Sequence, residues 1–190
     1  MTSAALTEYW HECYGIEPRA DDLRKACPDR WLRIHTLPES KRYPETSAEY
    51  SVVFHRHNEM LSELLTTGSQ VILITTGWSF AENSAPVQDD GLRHPGAWHW
   101  TTIRVDMDDP QSTLWHLYAR EIVWQPGVFD ETLRRVADYK SWNVMVIGVE
   151  QRVVYHPYDG GADIIARDER HRDALKTRFR DWLSLLPSGL

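Results

Sequence analysis

The stretch TSAEYSVVFHRHNEMLSELLTTGSQVILITT, residues 46–76, holds the two clearest secondary-structure signals in this sequence. Thr46 and Glu49 have the spacing of a capping box, in which each side chain accepts a hydrogen bond from a free backbone amide. A helical face with a period of 3.6 residues follows, and we expect this helix to end near Gly68. Val71 to Thr75 is then a continuous β-branched run, typical of a central strand covered on both faces. The helical face comprises Tyr50, Val53, Phe54, His57, Met60, Leu61, Leu64 and Leu65.

Shorter elements are predicted on both sides of this stretch. Strands come in runs rather than alternating with helices, which predicts an α+β fold with a mainly antiparallel sheet of about five to seven strands and helices packed on it. We expect a single domain over residues 1–190, with short N-terminal helices in 1–30 packed on an α+β core of 31–190. The predicted elements are helices ending at Gly15 and over 20–26, strands at 31–36, 98–105 and 114–124, a helix capped by Asp130, strands at 143–147, 152–156 and 162–166, and a helix from Asp168.

Composition excludes several classes of protein. A formal charge of −7 argues against a nucleic-acid binder and against an anionic membrane surface as the partner. No apolar run approaches the roughly 18 residues of a membrane span, and the first residues lack the pattern of a signal peptide. Two cysteines without a CxxC pair favour a reduced, cytoplasmic protein.

Familiar catalytic motifs are absent from the sequence. It contains no phosphate-binding loop, no dinucleotide glycine fingerprint, no nucleophile elbow and no HExxH. We therefore expect no cofactor and no metal, and the sequence leaves open whether the protein is an enzyme.

The segment HPYDGGAD, His156 to Asp163, concentrates groups that can carry acid–base chemistry. Asp159 and Asp163 are candidates for an acid and a base or for cation ligands, and His156 is their candidate titrating partner, joined by His116. The structural interpretation is a β-hairpin. An Asp before Gly-Gly suits such a turn by bonding its amides, and Asp163 would hold the backbone of the following strand.

Aromatic residues are abundant, with nine Trp, eight Tyr and nine His. If His116 and His156 point the same way on neighbouring strands, they line an aromatic-walled cleft with Trp100 or Trp124. The candidate ligand-binding residues are Trp78, Trp100, Trp115 and Tyr158, beside a long predicted loop at 79–96. The alternative is a sheet face packed under helices.

Two further positions are interpreted as structural. His57 lies on the apolar face of the main helix, so we expect a core histidine bonded to backbone or to a carboxylate, with His55 exposed. Trp142 stands at a strand start, where packing alone accounts for it.

Residues 49–76 and 153–182 resemble an uncharacterised bacterial domain family. Its members have a helix leading through a Phe/Leu-rich turn into an apolar strand, a Tyr-His-x-Tyr-Asp-Asp-Arg-Gly-x-Asp motif, and a closing helix with Trp. Residues 155–163 read YHPYDGGAD, with Gly-Gly where the family often has Asp-Arg-Gly. The resemblance implies a soluble α+β fold, and small proteins of this type often occur among bacterial toxin–immunity systems.

Three hypotheses of function follow. The first is an intracellular, non-enzymatic binding protein, of toxin-neutralising (immunity) type, whose acidic surface attracts a basic protein partner. The second is a hydrolase or metal-dependent enzyme using His156, Asp159 and Asp163, with His116. The third is a small-ligand binder with an aromatic pocket. The oligomeric state is not predicted.

Overall fold

The structure, a computed structural model, describes residues 1–80, 95–106, 109 and 112–184. Its strands are β1 (Trp31–His35), β2 (Gln70–Ser79), β3 (Trp98–Arg104), β4 (Leu114–Val123), β5 (Met145–Gly148), β6 (Val153–Tyr158) and β7 (Gly161–Ile165). Its helices are α1 (Ser3–Tyr14), α2 (Leu23–Ala26), α3 (Ser47–Leu64), α4 (Asp130–Ala137) and α5 (Glu169–Arg178), with 3₁₀ turns at Ala20–Asp22, Pro38–Ser40 and Arg180–Trp182.

The seven strands form one sheet in the order β1-β7-β6-β5-β2-β4-β3, and every neighbouring pair is antiparallel. The predicted α+β class with a mainly antiparallel sheet is therefore confirmed. The first 30 residues contribute α1 and α2, which pack on one face of this sheet. Helices α3, α4 and α5 pack on the other face.

Several predicted boundaries shift in the structure. Strand β2 runs on to Ser79, and β5 begins only at Met145. Helix α3 ends at Leu64 rather than near Gly68, which has a positive φ and donates its N–H to the carbonyl of Trp124. Asp130 is the first residue of α4 and not its cap. Most of the predicted 79–96 loop and part of the 106–111 turn lie outside the described residues.

The capping box at the start of α3 is present as the sequence predicts. The Thr46 hydroxyl accepts a hydrogen bond from the Glu49 amide at 3.2 Å, and the Glu49 carboxylate accepts one from the Thr46 amide at 3.2 Å. Lys41 adds an ion pair to Glu49 at 2.6 Å. These contacts satisfy free amides of the first turn and so define where the helix starts.

Alternating side chains of the strands build two separate cores. Val71 and Leu73 belong to the core under α3, whereas Ile72 and Ile74 belong to the core under α1. Large aromatic side chains fill both cores. Trp124 stacks on Phe129 in the first core, and Trp100 packs edge-on against Trp10 in the second. Trp100 and Trp124, which the sequence made candidates for a cleft wall, are thus core residues.

His57 is buried in the core, and His55 is exposed, as the sequence predicts. The hydrogen-bond partner of His57 differs from the prediction. Nδ1 of His57 bonds the hydroxyl of Tyr155 on β6, neither a backbone group nor a carboxylate. Burial disfavours the imidazolium and lowers the pKa of His57 to about 3.

This buried imidazole predicts a pH-dependent stability. The unfolded chain takes up a proton at His57 below about pH 6.5, whereas the folded chain does not do so above pH 3, so stability falls as the pH falls through that window. In urea titrations, the free energy of unfolding of the wild type should fall between pH 7 and pH 5. We expect this fall to be smaller by about 1–2 kcal/mol in His57→Gln. The exposed control His55→Gln should behave as wild type. Equal pH dependence in wild type and His57→Gln would contradict this account.

None of the helices within the described part of the chain combines the length and the apolar character that a membrane crossing requires.

Candidate functional site

Three polar side chains stand in a row across three strands at one edge of the sheet. Arg33 of β1 is opposite Asp163 of β7, and Asp163 is opposite His156 of β6. Because side chains alternate between the faces of a strand, residues opposite one another share a face. Here that face is the one covered by α1 and α2, where Ile165 and Val154 belong to the core.

Asp163 is held by Arg33 in a two-pronged ion pair. Arg33 Nε donates to one carboxylate oxygen at 2.6 Å, and Nη2 donates to the other at 2.9 Å. Asp163 is buried, which makes such a charged pair costly to break. Asp163 therefore binds a side chain of β1, the neighbouring strand in the sheet. The sequence predicted instead that it holds the backbone of the strand after the turn.

His156 is buried, and its ring is oriented by the backbone. Nδ1 lies 2.8 Å from the carbonyl oxygen of Val144 and must carry a hydrogen, since a carbonyl only accepts. Nε2 lies 3.6 Å from Oδ1 of Asp21, a residue of the 3₁₀ turn before α2. Contact with His156 lowers the pKa of Asp21, so this exposed carboxylate is ionised at neutral pH.

Asp159 lies in the turn between β6 and β7, as the hairpin interpretation requires. Its carboxylate pairs with Arg42, with Nε 2.7 Å from Oδ2 and Nη2 3.1 Å from Oδ1. Asp159 is buried, whereas Arg42 is largely exposed. The sequence predicted bonds to turn amides, but the partner comes from the loop before α3, which only the fold brings close.

A cavity of about 480 Å³ opens beside this hairpin. One wall is β6 with its turn, including His156, Tyr158 and Asp159. Arg33, Arg42 and Asp21 contribute from other segments, and the loop between α4 and β5 closes the remaining side. We call this space the His156 cavity. Its volume lies in the range of small-molecule sites.

The loop between α4 and β5 shapes the cavity through Asn143. The Asn143 side chain accepts a hydrogen bond from the Ala20 amide at 2.9 Å and donates to the Pro18 carbonyl at 3.4 Å and to Thr76 Oγ1 at 3.1 Å. Asn143 has a φ of 47°, a left-handed conformation that asparagine tolerates better than most residues. These bonds fasten residues 18–20 to the loop and so place Asp21 at the cavity.

Ser141 and Trp142 of the same loop also line the cavity. Ser141 is 5% exposed, and its hydroxyl has no hydrogen-bond partner among the described residues. Trp142 is 37% exposed, and β5 begins at Met145, so the prediction that Trp142 stands at a strand start is wrong. Buried hydroxyls normally have a partner, which makes Ser141 a candidate ligand contact that the sequence did not indicate.

Exposed aromatic rings lie around the cavity. Tyr139 lines it together with Trp142, and Tyr43 lies beside Arg42, whose guanidinium is 5.4 Å from its ring. Tyr139 is 71% exposed and Tyr43 is 47% exposed. We call Tyr43, Tyr139 and Trp142 the aromatic rim.

His116 does not join this site. It lies on β4, which β2 and β5 separate from β6, so His116 and His156 do not lie on neighbouring strands and the condition for a shared cleft is not met. Its Nε2 is 2.9 Å from Ser79 Oγ and its Nδ1 is 3.0 Å from Thr102 Oγ1. Ser79 is 1% exposed and the third member is a hydroxyl, so the group lacks the accessible nucleophile and the carboxylate of a catalytic triad.

Of the four predicted ligand-binding residues, Tyr158 alone lines the His156 cavity. Trp78 and Trp115 are opposite one another on β2 and β4. Trp100 is buried, and its indole N–H donates to Thr7 Oγ1 at 3.0 Å. The structure thus does not gather the tryptophans around one cleft within the described residues, because β4 and β3 lie at the far edge of the sheet.

Metal binding has little support in the geometry. Among the residues that the structure describes, no three His, Cys, Asp or Glu side chains are grouped so as to hold an ion. Both carboxylates of the hairpin are already engaged by arginines.

The fold and the site together define a class of protein: an antiparallel α+β domain with a polar cavity beside a β-hairpin. The family model described as a domain of unknown function, DUF3885, matches residues 19–187, and the chain belongs to this family. This confirms the relation to an uncharacterised domain family that two segments of the sequence suggested. All residues that line the His156 cavity lie within the matched range. No curated protein and no solved structure matches the chain.

Proposed function

We propose that this protein is a non-enzymatic binding protein and that its partner binds over the His156 cavity. The observation that carries the proposal is the aromatic rim: Tyr139 and Trp142 line the cavity with exposed rings, and the exposed ring of Tyr43 lies beside Arg42 of the same cavity. Tyr, Trp and Arg are the residues most enriched where binding energy concentrates in protein interfaces. Arg42 lies among them, with its guanidinium over the ring of Tyr43.

The engagement of both hairpin carboxylates weighs against the rival proposal of a hydrolase. A general acid or base must contact the substrate group with which it exchanges a proton. Asp163 instead accepts two hydrogen bonds from Arg33, and Asp159 forms an ion pair with Arg42. His156 lines the cavity and pairs with no arginine among the described residues, and this single group is what still favours an enzyme as the second candidate.

The proposed partner is a basic protein. The chain carries a net charge of −7, and the carboxylate of Asp21 is exposed at the cavity. Complementary charge speeds association and selects among partners. Both cysteines are free, which fits the reducing cytoplasm that we propose as its location. A basic toxin would be one such partner, in which case the protein is an immunity protein.

The aromatic rim is tested by using the full-length chain as bait in extracts of its native host. We expect a stoichiometric partner to be retained by wild type, and we expect Trp142→Ala or Tyr139→Ala to weaken its affinity by about 30-fold, as for an interface hot spot. Thermal melting of each bait checks that the variants are folded.

Val128→Ala is the matched control, because Val128 has the same 37% exposure as Trp142 and does not line the cavity. This variant should retain the partner as wild type does. If no stoichiometric partner is recovered, or if the partner is held equally by wild type and both rim variants, the proposed function is wrong.

A further inference from the structure

The two guanidinium groups that line the His156 cavity are already paired. Arg42 binds the carboxylate of Asp159, which also lines the cavity, and Arg33 binds that of Asp163, which does not. Both aspartates are buried. An anionic ligand would compete with a buried carboxylate for its cation, and breaking such a pair is costly. The cavity therefore disfavours an anion.

The other carboxylate of the lining, that of Asp21, also lies among cationic neighbours. Contact with His156 and the charges of Arg33 and Arg24 lower the pKa of Asp21. These neighbours already stabilise the ionised carboxylate, so no cationic ligand is needed to balance it. Within the described residues, the charges around the cavity thus favour a neutral ligand.

Polar groups of the lining nevertheless require hydrogen-bond partners. Ser141 lines the cavity at 5% exposure, and its hydroxyl has no partner among the described residues. A buried hydroxyl without a bond costs free energy, so an apolar ligand does not suit the cavity. A ligand hydroxyl both donates and accepts. It therefore suits Ser141, and it suits Nε2 of His156 whether or not that atom carries a hydrogen.

We propose that the His156 cavity binds a small neutral saccharide, a mono- or disaccharide. The hydroxyls of a sugar ring lie around its edge, where polar side chains bond them, and the C–H groups of its face pack on an aromatic ring. Trp142 and Tyr139 supply such rings in the wall of the cavity, whose volume of about 480 Å³ is that of a small-molecule site. This inference goes beyond the proposed function, because a sugar in the cavity does not depend on a protein bound over it.

The test is an NMR titration of the isotope-labelled full-length protein with maltose and with the methyl glycosides of glucose, galactose, mannose and N-acetylglucosamine. We expect at least one of these sugars to bind with millimolar affinity and to shift the amides of Ser141 and Trp142 and the Trp142 indole. Ser141→Ala should weaken its binding about fivefold, the effect of one lost hydrogen bond. Trp142→Ala should weaken it at least about tenfold, because the face of the sugar loses its aromatic contact.

Ser69→Ala is the matched control, because the Ser69 hydroxyl is also buried without a partner among the described residues but does not line the cavity. This variant should bind the sugar as wild type does. Three outcomes overturn the saccharide site. They are no shifts at Ser141 and Trp142 with any of the sugars up to about 50 mM, equal binding by wild type and both cavity variants, or binding of glucosamine or glucose 6-phosphate at least about tenfold tighter than that of the neutral sugar.

The host-extract experiment judges the proposed function separately. A Ser141→Ala bait keeps the aromatic rim, so it should retain the protein partner as wild type does. If a sugar binds in the cavity but no partner depends on the rim, the proposed function is wrong and the saccharide site stands. If a partner depends on the rim but none of the sugars binds, the saccharide inference fails and the binding function stands.

Discussion

Gly161→Ala is expected to lower the free energy of unfolding by about 3 kcal/mol or more, the largest effect of any single change considered for this protein. A Cβ at Gly161 would lie 2.2 Å from the carbonyl oxygen of Ile34 and 2.7 Å from the hydroxyl of Tyr158. The first of these atoms belongs to the backbone of β1, which cannot yield without separating from β7. The expected damage is therefore to the pairing that aligns Arg33 with Asp163.

Gly160→Ala provides the matched control, since Gly160 lies in the turn immediately before Gly161. Its added Cβ would lie 3.0 Å from Cγ of Arg42, the flexible part of an exposed side chain, and we expect a loss below about 1 kcal/mol. Urea denaturation followed by circular dichroism measures both variants. Equal destabilisation by the two substitutions would show that close approach of β1 is not the reason for glycine at 161.

Arg33→Leu is expected to cost about 3 kcal/mol, because it leaves the carboxylate of Asp163 buried without its cation. The double variant Arg33→Leu/Asp163→Leu removes both charges and should recover most of that loss. Unfolding free energies of wild type, both single variants and the double variant form a thermodynamic cycle whose coupling energy reports the pair.

The exposed pair between Arg167 and Asp168 serves as the control for this cycle. Its side chains are 56% and 54% exposed, so Arg167→Ala should change stability by about 0.5 kcal/mol or less. If the effects of Arg33→Leu and Asp163→Leu simply add in the double variant, the buried pair has no coupling and the account of this edge of the sheet is wrong.

These predictions assign most of the segment YHPYDGGAD to structure. Tyr155 bonds the core imidazole of His57, and Gly161 permits the close approach of β1. Asp159 and Asp163 each bind an arginine from another segment. His156 lines the cavity, where its Nε2 lies 3.6 Å from Oδ1 of Asp21. The sequence correctly indicates the hairpin, but it does not indicate which of its polar side chains bind residues of other segments.

What the sequence determined by itself is local. The capping box of α3, the buried run of β2 and the hairpin turn between β6 and β7 depend on residues a few positions apart. Such contacts depend on residue spacing and side-chain type. The α+β class and the antiparallel sheet therefore follow from the hydrophobic and turn-residue pattern of the sequence. The core position of His57 follows in the same way from the helical period.

The tertiary structure alone decided the candidate site. Strand β1 pairs with β7, which brings Arg33 to Asp163 across 130 positions of sequence, and the same strand order removes His116 from His156. Asn143 fastens residues 18–20 to a distant loop and thereby places Asp21 at the cavity. Strand order is set by which apolar faces pack together over the whole sheet, and hydrophobic pattern within one strand does not encode its neighbour. For that reason the sequence indicated His156, while Asp21, Ser141 and Trp142 became visible only in the fold.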